Sequence, residues 1–192
     1  MKKIIWPLLL CAVLCGCGGA EAETGNAVQE QYRTLETARL EAEVTSHTST
    51  DSRTFTLLCS YDADGDAVTT VTAPSELAGL TAVVSGADMT LSSEGLQLPA
   101  GASLDICPAN CLPYLLRALA DGYVLEQSSE ALDDTPCLRL ALDTTAPGGG
   151  KVLCAVWLDA EGLFPRYAEF SRNEQVVLTV KLLAFTCTTS EG

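Results

Sequence analysis

Apolar and polar side chains alternate along most of this chain, and a period of two residues is compatible with few folds. Leu40 and Val44 stand in one such stretch, between acidic and polar neighbours. Residues 54–61 repeat the pattern, with Phe55 and Leu57 in the apolar set. Successive side chains of a strand point to opposite faces, so this alternation indicates half-buried antiparallel strands. The chain is predicted to be mainly β.

Further strands are predicted where similar apolar runs are bounded by turn residues such as 62–66 and 147–150. These later strands are 67–73, 80–85, 89–92, 123–129, 137–143, 151–159, 166–171 and 176–186. With the first two they make roughly nine to eleven strands, and a sheet that wide tends to curl. We therefore expect one large curved antiparallel sheet.

Two helices are predicted to cover part of the apolar face of that sheet. The first is expected over 27–37, and the second over 108–120, where a proline suits the first turn and Gly122 follows the end. Helical spacing gives each an apolar stripe. The stripes are Val28, Tyr32 and Leu35 in the first helix and Leu112, Leu115, Leu116 and Leu119 in the second.

The first 17 residues have the features of an export signal. Two lysines precede an apolar run of about 13 residues, and small residues lead to Cys17. The run is shorter than the roughly 20 residues that a membrane-spanning helix needs. This segment resembles the bacterial lipobox, which implies cleavage between Gly16 and Cys17. It also implies a diacylglycerol on the Cys17 thiol and an N-acyl chain such as palmitate. An ordinary signal peptide is the alternative.

An acylated Cys17 determines where the chain works. We divide it into a lipoprotein signal peptide (1–16), the acylated cysteine with a flexible linker (17–26) and one domain (27–192). Each buried methylene contributes about 0.8 kcal/mol, so two or three acyl chains hold a protein firmly on a membrane. The predicted location is the cell membrane, lipid-anchored and facing outside the cytoplasm.

The charge of the chain limits its partners. The formal charge is −14, and it becomes −16 when Lys2 and Lys3 leave, because no acidic residue precedes Cys17. Such a surface repels nucleic acid and anionic headgroups. We expect no nucleic-acid partner and a membrane contact made through the lipid alone.

Six cysteines remain beyond Cys17: Cys59, Cys107, Cys111, Cys137, Cys154 and Cys187. An even number in an exported protein is typical of disulfides. Only Cys107 and Cys111 are close in sequence, so they are the candidate pair, although a spacing of four residues in a helix is not ideal for a disulfide. Six buried free thiols, each packed as a small apolar side chain, are the alternative.

No catalytic or metal-binding pattern is present. Ser-His-Asp catalysis would have to use His47, the only histidine, and no GxSxG precedes a candidate serine. There is no CxxC pair for zinc, and the acidic turn 62–66 lacks the last glutamate of a calcium loop. We predict that the chain is not an enzyme and uses no metal or cofactor.

The order of elements resembles that of the LolA-like superfamily, which includes the outer-membrane lipoprotein carrier, its lipid-anchored receptor and lipid-binding mycobacterial lipoproteins. The likeness covers most of the mature chain and is carried by residues 55–61 with the turn 64–66, by 108–119, and by 158–169 leading into 176–185. It implies an unclosed β-barrel with a helical lid around an apolar cavity. The lipid anchor and the six cysteines are departures from the soluble carrier.

The resemblance leads to a function hypothesis with one alternative. A curved sheet with an apolar concave face can hold a lipid or an acyl chain. The candidate lining residues are Leu40, Val44, Phe55, Leu57, Met89, Leu91, Leu116 and Trp157. In the alternative, the core is filled and the domain is an interaction or sensing module for an envelope protein.

Overall fold

The computed structural model describes residues 19–102, 105–146 and 148–190. The predicted cleavage and acylation site at Gly16 and Cys17 lies outside these ranges. The helices are α1 (Gly19–Arg33) and α2 (Cys111–Asp121). The strands are β1 (Leu35–His47), β2 (Ser52–Asp62), β3 (Ala67–Ala73), β4 (Thr81–Ser85), β5 (Asp88–Ser93), β6 (Leu96–Ala102), β7 (Tyr123–Leu132), β8 (Thr135–Thr145), β9 (Lys151–Asp159), β10 (Pro165–Arg172) and β11 (Gln175–Thr189).

The strands form one 11-stranded antiparallel sheet, as predicted. Its order is β6-β5-β4-β3-β2-β1-β11-β10-β9-β8-β7. The first and last strands pair along most of their length, which joins two meanders at the centre of the sheet. β6 and β7 lie at the two edges and do not pair with each other. The sheet is therefore an unclosed barrel.

The concave face of the sheet packs on α2, which connects one edge strand to the other. All of α2 is buried except Arg117, Ala120 and Asp121. The predicted stripe of Leu112, Leu115, Leu116 and Leu119 is confirmed, with exposures of 0–2%. Burying a leucine side chain stabilises the fold by about 1.5–3 kcal/mol. This helix therefore supplies much of the main core.

The first helix starts and ends earlier than predicted. It spans Gly19–Arg33 rather than 27–37, because Leu35 already pairs with Thr189 at the start of β1. The segment before residue 27 is rich in alanine and glutamate, which favour helix. Extension of the helix into the predicted linker is consistent with that composition.

Side-chain hydrogen bonds hold α1 against the loops of the sheet. The Gln29 amide donates to the Gly122 carbonyl at 2.6 Å, and the Tyr32 hydroxyl donates to the Leu163 carbonyl at 3.0 Å. Val28 and Tyr32 are buried in the main core, as their spacing predicted. The contacts connect α1 to the end of α2 and to the β9–β10 turn.

One strand was not predicted, and it lies at an edge of the sheet. β6 contains Pro99, which has no N–H for a strand ladder and is tolerated at sheet edges. A β-bulge between Met89 and Thr90 interrupts its pairing with β5. Leu96 and Leu98 on this edge are 78% and 66% exposed. A second bulge, between Val124 and Glu126, interrupts the other edge at β7.

Gly122 is a position where close packing requires glycine. It ends α2, and an added Cβ would overlap the Ala118 carbonyl and lie 3.2 Å from Leu142. We expect Gly122→Ala to lower the free energy of unfolding by about 1–3 kcal/mol, as overpacking does. Equilibrium urea unfolding measures it. Gly65→Ala is the control, because an added Cβ there meets only the exposed Asp62 side chain; an equal loss in both variants would contradict this account.

Candidate functional site

A pocket of about 530 Å³ lies where the open sheet leaves a gap, and we call it the mouth pocket. Three parts of the chain form it: the β4–β5 turn, the exposed side of α2 and the adjoining ends of β7 and β8. Its lining residues are Gly86, Ala87, Tyr114, Arg117, Ala118, Asp121, Gly122, Tyr123, Asp143, Thr144 and Thr145. Its volume falls in the range of small-molecule sites, which is about 300–1,000 Å³.

The inner wall of the mouth pocket is apolar and continuous with the core. Tyr114 and Ala118 project from α2, and the Tyr114 ring packs on Phe170 with centroids 5.8 Å apart. The Tyr114 hydroxyl is hydrogen-bonded to Thr144. Burial raises the pKa of Tyr114, so the phenol stays protonated at neutral pH. Tyr123, 72% exposed, adds an aromatic ring at the solvent side.

The rim of the pocket carries charged side chains of both signs, and each has a hydrogen-bonded or ion-paired partner. The Arg117 guanidinium donates to the Gly86 carbonyl at 3.1 Å, which links α2 to the β4–β5 turn across the gap. Asp121 pairs with Arg33 on α1 at 3.5 Å. Asp143 pairs with Lys151 at 3.5 Å. A rim that carries charges of both signs beside an apolar wall suits a ligand with an apolar body and a polar end.

Comparisons with known proteins concern the fold. No protein-family model matches the chain, and no curated protein does. An uncharacterized conserved protein from Thermus thermophilus is similar in structure with a TM-score of 0.51 and 9% identity, over 88% of this chain and 89% of that one. A DUF1329 family protein from Desulfovibrio piger gives a TM-score of 0.50 and 13% identity, over 90% and 95%. A LolA superfamily protein from Nitrosomonas europaea gives a TM-score of 0.46 and 13% identity, over 89% and 94%.

The domain has a LolA-like fold. The unclosed antiparallel sheet with two helices is the architecture that the sequence resemblance implied. At these identities the likeness shows the fold alone.

The LolA-like domain brings most of the predicted lining residues together, in two clusters. Leu40, Val44, Leu57 and Leu116 are 0–2% exposed in the main core, and Phe55 packs against it. Met89 and Leu91 belong to a smaller cluster under β3–β5. Within each cluster these side chains are already packed against other core residues.

Trp157 lies on the other face of the sheet, away from the concavity. On β9 the inward side chains are those of Val152, Cys154, Val156 and Leu158. The Trp157 ring packs on Tyr167, with centroids 5.4 Å apart, and its indole N–H donates to Glu130 at 3.0 Å. Arg139 lies over the same ring at 5.4 Å. The residue belongs to a polar network on the outer surface.

The other candidate residues, the cysteines and His47, form no disulfide or metal site among the residues that the structure describes. Cys107 and Cys111 are free thiols, as are Cys59, Cys137, Cys154 and Cys187. His47 is hydrogen-bonded through its two ring nitrogens to Ser52 and Thr179. In the part of the chain that the structure describes, no three His, Cys, Asp or Glu side chains come together as metal ligands. Neither α1 nor α2 has the length and apolar character needed to cross a bilayer.

The mouth pocket itself was not found by sequence reasoning. Gly86, Arg117, Tyr123 and Asp143 come from separate segments with no shared motif. They meet because α2 crosses from one sheet edge to the other and carries Arg117 to the β4–β5 turn. A weak signal was present in Arg117, the one charged residue within the predicted apolar helix.

Proposed function

We propose that the chain is a membrane-tethered lipoprotein outside the cytoplasm that binds an amphipathic ligand, a lipid or an acyl chain, at the mouth pocket. Acylation of Cys17 after cleavage behind Gly16 supplies the tether. The mouth pocket supports the proposal most directly, because it joins an apolar inner wall to a rim with charges of both signs at the opening of the curved sheet. No step of this function requires a catalytic residue or a cofactor.

Ligand binding would follow from desolvation. An alkyl segment placed against Tyr114 and Ala118 leaves water, which contributes about 25 cal/mol per Å² of buried apolar surface. Its polar end stays at the rim, near Arg117 and Asp121. A longer alkyl chain would continue towards Leu40 and Leu57 in the main core when α2 moves aside.

Narrowing of the pocket tests this proposal. Ala87 lies on the exposed turn opposite α2, so Ala87→Trp fills the mouth without changing the core. We expect the fraction of protein that co-purifies with a lipid to fall, with binding of a fluorescent fatty acid weakened about tenfold, or 1.4 kcal/mol. Native mass spectrometry of protein extracted from membranes and a fluorescence titration are the measurements.

Ala78→Trp is the matched control for this experiment. Ala78 is also exposed in a turn. That turn joins β3 to β4, at the end of β4 opposite to the turn that carries Ala87, and Ala78 does not line the pocket. Its lipid content and fatty-acid affinity should equal those of the unchanged protein. A lipid-free mass for all three proteins, with no fatty-acid binding, would refute the proposal.

The tight packing of α2 favours a second function. Eight of its side chains are buried, so the concavity is filled as it stands. A filled domain would serve as an interaction or sensing module for an envelope protein. The lipid-free mass described above is the result that this alternative predicts.

A further inference from the structure

The loop that leads into α2 places two cysteines one helical turn apart. The Cys111 amide donates to the Cys107 carbonyl at 3.0 Å, which closes a single α-helical turn between them. Four residues at 1.5 Å rise separate the Cα atoms by about 6 Å. Disulfides occur at Cα separations of about 4.4–6.8 Å. The backbone already provides the spacing for a bridge.

Neighbouring contacts hold this turn in place. The backbone N–H of Cys107 donates to the side-chain oxygen of Asn110 at 2.9 Å. The side-chain NH₂ of Asn110 donates to the backbone carbonyl of Asp105 at 3.1 Å. The Arg172 guanidinium from β10 binds the Asp105 carboxylate at 2.6 Å. Asn110 itself is buried. A turn fixed from both sides keeps the two cysteines at one separation.

The two thiols differ in access. Cys107 is half-buried, so an exchange reagent can reach it, whereas Cys111 is buried in the first turn of α2. Cys111 donates its S–H to the Pro108 carbonyl at 3.4 Å, across the same turn. Once a half-buried thiol has formed a mixed disulfide, a second thiol one helical turn away can replace that mixed disulfide with an intramolecular bridge.

We propose that Cys107 and Cys111 form a redox-sensitive disulfide that links the loop before α2 to its first turn. The Cys107 thiolate attacks a low-molecular-weight disulfide RS–SR, so that a Cys107–SR bond forms and one RS⁻ leaves. The Cys111 thiolate then attacks the Cys107 sulfur and displaces the second RS⁻. The two protons from the cysteines convert both leaving groups to RSH. One disulfide is reduced by two electrons, and the cysteine pair is oxidised by two.

Cys59 of β2 is the competing partner. Burial raises the pKa of Cys111, and the neighbouring Cys107 and Cys59 thiols add to the rise. Cys59 is held on a paired strand. Burial raises the pKa of Cys59 and of Cys107 alike, so acidity does not distinguish the two links. The link to Cys107 requires no movement of a strand, so it is the one that the fold favours.

Peptide mapping of the full-length protein after treatment with oxidised glutathione tests the proposal. Cleavage before Asp105 and Asp121 gives a fragment that contains Cys107 and Cys111 and no other cysteine. We expect this fragment to lose the mass of two hydrogen atoms and to stop reacting with maleimide, and dithiothreitol to reverse both changes.

Variants separate the proposal from its competitors. Cys107→Ala should abolish the mass change in that fragment, whereas Cys187→Ala, at another half-buried free cysteine, should leave it intact. A crosslink to the fragment 51–61, which holds Cys59, would overturn the proposal. A lasting glutathione adduct on Cys107, or two unmodified thiols, would overturn it as well. None of these outcomes depends on whether the mouth pocket binds a lipid.

Discussion

Cys17→Ala is expected to abolish membrane attachment and to leave the chain as an unprocessed precursor. The thiol of Cys17 is the proposed acceptor of the diacylglycerol, and the resemblance to the lipobox implies that cleavage follows acylation. Two or three acyl chains bind a bilayer firmly, at about 0.8 kcal/mol per buried methylene. The Cys17→Ala protein carries no acyl chain and has no such anchor. Membrane fractionation, detergent phase partition and the mass of the N-terminal peptide measure the effect.

Cys15→Ala is the control for acylation. This residue lies two positions earlier in the same segment and would leave with the signal, so the variant should be cleaved, acylated and membrane-bound as before. The account fails if Cys17→Ala is still processed and retained on membranes. It fails equally if the unchanged protein carries no acyl mass.

Phe170→Ala is expected to lower the free energy of unfolding by about 3–5 kcal/mol. Phe170 has no exposed surface and packs against Tyr114 of α2, so its removal leaves a cavity between the helix and the sheet. Domains are stable by about 5–15 kcal/mol in total, so the loss is a large part of the whole. Urea unfolding in the unlipidated Cys17→Ala background measures it, with the midpoint shifted and the slope unchanged.

Phe164→Ala is the control, because it removes the same side chain from a less buried position. Phe164 is 39% exposed and packs on Phe185 with centroids 5.4 Å apart. We expect a loss of about 1 kcal/mol, because much of its ring is already in water. Equal effects of the two substitutions would show that α2 does not depend on a packed contact with β10.

The strands were predictable where one face of the sheet is apolar and the other polar. Leu40 and Val44 show this clearly, since their neighbours are polar and only one register buries the apolar set. On β9 both faces carry apolar residues, so alternation did not place Trp157 on the outer face. β6 was missed because Pro99 and Gly101 weaken a strand pattern, and the edge position of β6 tolerates them.

Sequence periodicity predicts the buried stripe of a helix, but it does not predict helix boundaries or a pocket formed by distant segments. The leucine stripe of α2 was visible because a helix buries residues at a spacing of three and four. The boundary of α1 depends on the pairing of Leu35 with Thr189, a contact between distant parts of the chain. The mouth pocket depends on the strand order, which local patterns do not encode.

The proline and the bulges at the two edge strands affect whether copies of this domain can associate through their sheets. An unclosed sheet has two ends at which a second molecule could add a strand, and repeated addition leads to fibrils. Pro99 lacks the amide hydrogen that such a ladder needs, and the bulges at Met89–Thr90 and Val124–Glu126 disturb the spacing of the rest. These features disfavour strand addition between neighbouring domains at either edge.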